Sequence, residues 1–166
     1  MKVYAWQGPG LFEVAFVELE EDRLSARGTQ LAPGHRLSYV FHASNTFVSE
    51  RLSAEVETVH GVRTIDLRRG TRPLKDDVLD VDVAGSPLFN SLPVLRDRLH
   101  EGAGGAREYT MAFVNVPELS VERSAQRYVS LGRGVVRFRS GSFTADLEFD
   151  RDGFVVRYPG LAERVR

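Results

Sequence analysis

The chain has 166 residues, 42% hydrophobic and 27% charged, with 15 Gly and 7 Pro, a balance that excludes a disordered or fibrous polypeptide and suits one folded unit spanning 1–166. Lys and Arg number 22 against 23 Asp and Glu, so the formal charge of −1 argues against a general polyanion binder, and nucleic acid is not an expected partner. Cysteine is absent, which excludes disulfides, thiolate catalysis and thiolate-bound zinc.

At the N-terminus, MKVYAWQGPGLFEV meets Gly8, Pro9 and Gly10 where a signal peptide would hold about 7–15 apolar residues, so a cytoplasmic location is expected. No run approaches the ~20 apolar residues of a membrane helix. In FEVAFVEL, residues 12–19, Phe12, Val14 and Phe16 occupy one face of a predicted strand while Ala15, Val17 and Leu19 occupy the other. A strand apolar on both faces is either covered on both sides or borders a cavity. Leu37, Tyr39 and Phe41, then Val48, Leu52, Ala54 and Val56, then Ile65 and Leu67 mark further strand faces, each separated from the next by turn residues.

Residues 80–96 read DVDVAGSPLFNSLPVLR. Asp80 and Asp82, two apart in a strand, point the same way. Their carboxylates can share a divalent cation or act as acid and base, orient a polar ligand, or simply face solvent. Pro87 and Pro93 fix their own φ and hold Ser86 and Leu92 extended, while Asn90 offers both a donor and an acceptor. The loop is then either a tight corner between strands or a rigid rim presenting Phe89 and Asn90 to a ligand.

Residues 94–100 and 120–131 fit both helix and strand; the surrounding turn residues and β-rich neighbours favour strand for the second. The GAGG at 102–105 is a loop without phosphate-binding context. In YTMAFVNV, residues 109–116, Tyr109, Met111 and Phe113 oppose Ala112, Val114 and Val116, a second strand apolar on both faces. Five arginines against the lone Glu122 in 121–140 either meet an anionic group or lie along the sheet beside acids such as Asp146 and Glu148. The alternation is clearest at the C-terminus. Val136 and Phe138, then Phe143, Ala145, Leu147 and Phe149, then Phe154, Val156 and Tyr158 predict a three-strand meander. His35, His42, His60 and His100 are scattered, and no nucleophile elbow, Walker loop, dinucleotide fingerprint or zincin motif occurs, so neither a cofactor nor a metal is expected.

Three stretches carry a family resemblance: DVDVAGSPLFNSLPV at 80–94, QRYVSL at 126–131 and FTADLEFDRDGFVVRYPGL at 143–161. Their order and spacing resemble the bacterial "putative glycolipid-binding" family, long carried as a domain of unknown function. Phe47 and Val78 depart from it, standing near positions where family members carry Trp and Cys. The resemblance implies a mainly β fold, a strongly curved antiparallel sheet forming a β-roll or open half-barrel, similar in outline to lipoprotein-carrier proteins. Its concave side is proposed to take a lipid or glycolipid. Asp80, Asp82, Ser86, Asn90, Gln126, Tyr128 and Tyr158 are the matching polar positions.

The expected function is non-enzymatic binding of an amphipathic ligand, with apolar faces of 12–19 and 109–116, Met111 and Phe113 among them, around its apolar part. Asp80, Asp82 and Asn90, with Phe89 beside them, would orient its head. The alternative is an enzyme using Asp80 and Asp82 on a sugar or phosphate substrate; a protein-interaction module is a third reading.

Overall fold

The computed structural model of the protein describes residues 1–102 and 104–165; the loop expected at 102–105 includes Ala103, which lies outside the described residues. The strands are β1 (Lys2–Gly8), β2 (Leu11–Leu19), β3 (Leu24–Ala32), β4 (His35–Ser44), β5 (Val48–Thr58), β6 (Gly61–Arg68), β7 (Val78–Val83), β8 (Ala106–Val114), β9 (Val121–Gly132), β10 (Val135–Ser140), β11 (Phe143–Phe149), β12 (Val155–Tyr158) and β13 (Ala162–Arg164). They form one curved sheet in the order β6-β5-β4-β3-β2-β1-β13-β12-β11-β10-β9-β8-β7. Neighbours pair antiparallel except β7 with β8, which run parallel because a long crossover joins them. The result is the expected open half-barrel, not closed into a full ring. No helix among the described residues is long and apolar enough to cross a membrane.

The inside of the curve is filled. Between β7 and β8 the chain makes a 3-10 turn (Pro87–Asn90), the short helix α1 (Ser91–Arg96) and a second 3-10 turn (Leu99–Glu101). Pro87 opens the first turn and Pro93 sits third in α1, where a missing N–H loses no intrahelical bond. Leu88, Phe89, Leu92 and Leu95 pack with the inward faces of β1–β6, while Val94 and Leu99 pack with those of β8–β12. The stiff SPLFNSLP loop is thus a plug. It belongs to both cores at once, and the one-sided apolar stripe that marks an ordinary surface helix is missing, which is why 94–100 stayed ambiguous. Residues 121–132 are strand, and β10, β11 and β12 form the meander.

Two expectations are corrected. Segment 12–19 is not apolar-covered on both sides: Ala15 and Val17 are buried, but Phe12 and Phe16 are 37% and 38% exposed on the convex surface. There Phe16 is flanked by Val3 and Arg27, the guanidinium lying 5.3 Å over its ring. On β5, a register shift between His42 and Ala43 opposite Ser49 turns Ser49 inward, where Val48 was expected to point. The expectation for 109–116 differs in outcome, since Met111 faces one core and Ala112 and Val114 face the other.

Arg69, just past β6, donates to the carbonyls of Ser49, Val78 and Leu79 at 2.7–2.9 Å, while the Val81 N–H donates to Ser49 Oγ at 3.0 Å. The two ends of the sheet are therefore fastened by side chains where no backbone ladder joins them.

Candidate functional site

Asp80 and Asp82 share a strand face and diverge in partners. Asp80 is fully buried and gripped from both oxygens by Arg96 of α1, at 2.8 and 2.6 Å. The planar guanidinium matches the carboxylate fork, so this pair is a built ion pair and not one half of a cation site. Among the described residues no group of three His, Cys, Asp or Glu side chains is placed to hold a metal. Asp82 meets no cation among the described residues. Its Oδ2 accepts from Gln126 Nε2 at 2.7 Å, and burial, with the Asp80 charge nearby, pushes its pKa up to about 6 against the pull of that hydrogen bond.

From Asp82 a buried polar chain runs inward. Tyr128 donates its hydroxyl to Gln126 Oε1 at 3.2 Å, and Asn90 Nδ2 donates to the Tyr128 oxygen at 2.9 Å. Three elements supply it: β7 gives Asp82, β9 gives Gln126 and Tyr128 two residues apart on its inward face, and the plug gives Asn90. Every member is hydrogen-bonded, which holds these side chains in one arrangement.

This chain backs a pocket of about 390 Å³. Asp82, Ser86, Asn90, Gln126 and Tyr158 form its polar side; Phe113, Phe138, Phe143 and Leu161 form its apolar side. Phe138, Phe143 and Tyr158 contact one another with centroids 6.1–6.2 Å apart, and Phe143, 47% exposed at the start of β11, stands at the mouth. Burial and the Asp82 charge hold the Tyr158 hydroxyl above its ordinary pKa, so it stays protonated. The volume lies at the small end of the roughly 300–1,000 Å³ typical of ligand pockets. That volume holds a head group with a short apolar stretch.

Behind Ser86 lies a third buried carboxyl, Glu13 of β2. Tyr39 and Ser86 each donate to its Oε1 at 2.7 Å, while Oε2 has no partner among the described residues. Two glycines make this possible. A Cβ on Gly28 would sit 2.3 Å from the Tyr39 ring, so only glycine lets that ring cross β3 and reach β2. Gly85, with φ of 77°, makes the left-handed turn that aims Ser86 back toward Glu13. Burial pushes the Glu13 pKa up to about 7 despite its hydrogen bonds.

The residues expected from sequence thus divide. Asp82, Ser86, Asn90, Phe113, Gln126 and Tyr158 line one pocket, and Tyr128 stands directly behind its wall. Asp80 lies deeper, on Arg96. Phe89 packs against Tyr39 and Phe41 and Met111 lies in the core, neither reaching the pocket. The apolar face of 12–19 contributes nothing to it. Sequence reasoning missed Phe138, Phe143, Glu13, Arg69 and Arg96. Glu13 carried a usable signal, being a carboxyl in phase with the inward Ala15 and Val17.

The fold and site define a curved β half-barrel with a small amphipathic pocket. The chain belongs to the family described as "putative glycolipid-binding", whose model matches residues 4–164. It is also similar to a crystal structure of a DUF1089 family protein from Pseudomonas aeruginosa, 26% identical, with a TM-score of 0.79 over 96% of this chain and 94% of that one. A comparison with curated proteins finds no match.

Proposed function

We propose that the protein binds an amphipathic ligand of the lipid or glycolipid class without chemically altering it. The head lies against Asp82, Asn90, Gln126 and Ser86, and the adjoining apolar part against Phe113, Phe138 and Phe143. One observation carries the reading: a single pocket whose wall is divided between a hydrogen-bonded polar chain and a cluster of aromatic rings. Shape and apolar burial supply the affinity, and the polar groups, locked by their mutual bonds, set the orientation. The family description agrees with this class of ligand. The acid/base or metal reading built on Asp80 and Asp82 is not favoured, because Arg96 occupies both oxygens of Asp80.

Native mass spectrometry of freshly purified protein, followed by organic extraction, tests the reading. The expected result is a copurifying amphiphile, or added mass with alkyl glycosides, that is lost when Phe143→Asp places a charge at the mouth. An unliganded mass throughout, with no response to a lipid panel, overturns it.

A further inference from the structure

Among the described residues Asp82 is the only charged one lining the pocket, and no lysine, arginine or histidine does so. It is 7% exposed, and one of its oxygens, Oδ1, accepts no hydrogen bond among the described residues. Three neighbouring side-chain donors are already engaged. Gln126 Nε2 serves Asp82 Oδ2, one N–H of Asn90 Nδ2 serves Tyr128, and the Ser86 hydroxyl serves Glu13. Around Asp82 the pocket is bordered by the rings of Phe113, Phe138, Phe143 and Tyr158. A carboxylate removed from water with no positive partner is unfavourable, and aromatic faces attract cations.

We propose that the polar end of this pocket selects a cation, so that its ligand is an amphiphile bearing an ammonium group, the nitrogen placed at Asp82 Oδ1 and its carbon substituents against the aromatic rings. This rests on the binding reading above and narrows it to one head-group chemistry. The Asp82 charge, with no cation among the described residues lining the pocket, disfavours a phosphate or sulfate head, which brings a second negative charge. An amino sugar and a simple alkylammonium head present the same group.

The test is calorimetric titration of the whole protein with probes of equal octyl chain: octylammonium, octyl 2-amino-2-deoxyglucoside, octyl glucoside and octyl sulfate. At pH 8 at least one ammonium probe is expected to bind tenfold or more tightly than octyl glucoside, with octyl sulfate the weakest; which of the two does so distinguishes a simple amine from an amino sugar. Asp82→Asn, which keeps an oxygen for Gln126, should abolish that preference. Phe143→Ala, at an exposed position that does not threaten folding, should weaken the ammonium probes. Lowering the pH to 5 should also erase the preference, because the Asp82 charge is lost below about pH 6. The groups facing Asp82 are Asp80, held by Arg96, together with Gln126, Tyr128 and Tyr158, and the tyrosines stay neutral over this range. Octyl glucoside binding as tightly as both ammonium probes, or a preference that survives in Asp82→Asn, overturns the cation assignment while leaving the binding function intact. Failure of all four probes removes both.

Discussion

Asp80 and Asp82 sit two residues apart on one strand face, and their surroundings are opposite. At Asp80 the fold supplies a guanidinium with two matched hydrogen bonds; at Asp82, nearer the pocket, it supplies one amide and leaves an oxygen free. The first is a finished piece of structure, and the second is unfinished without something from outside. A shared face and a short spacing therefore say little about shared purpose; what the plug segment places opposite each carboxylate decides it.

The sharpest way to break that contrast is Arg96→Ala. It strands the fully buried Asp80 charge and should lower unfolding free energy by about 3–5 kcal/mol, read from denaturant midpoints at constant m-value. A loss under about 1 kcal/mol would mean the pair is not the structural element it looks to be.

Glu13 gives the next effect. Its folded pKa is raised to about 7, so between roughly pH 4.5 and 7 the folded protein holds a proton that the unfolded chain has released. Its contribution is therefore most favourable below pH 4.5, declines as pH rises toward 7, and is level above, a span of about 3 kcal/mol for a fully buried group. Melting temperatures at pH 5 and pH 8 should show the wild type less stable at pH 8, with a smaller gap in Glu13→Gln. An unchanged gap in the variant assigns the slope to other groups. Asp82→Asn should have the smallest effect, leaving stability unchanged or raised by about 1 kcal/mol, because the lost charge had no positive partner among the described residues. A loss matching that of Arg96→Ala would erase the distinction between the two aspartates.

Much of the fold was legible in the sequence. Half-buried strands such as β11 write their period directly, Ala145, Leu147 and Phe149 facing in and Thr144, Asp146 and Glu148 out. The plug was not legible, because a helix buried on several sides has no periodic stripe, and Pro93 obscured it further. At the site, the family motif carried Asp82, Ser86, Asn90, Gln126 and Tyr158 to the residues around one pocket. Phe89 and Met111 went into the core instead, since an apolar side chain alternates identically whether it meets another side chain or a void. Phe138 and Phe143 escaped notice for the same reason: they read as an ordinary meander face, and nothing in that alternation marks them as lining a pocket.

Arg69 carries a consequence for how such a protein can vary. A cylinder sealed by main-chain bonds must bring strand number, tilt and stagger into agreement before its last strand will fit. Here one guanidinium reaches across the gap to three carbonyls, so the circumference is not quantised, and strands can lengthen or slip without unmaking the seal. The same side chain caps acceptors that a neighbouring molecule would otherwise recruit for intermolecular strand addition, guarding an otherwise sticky margin.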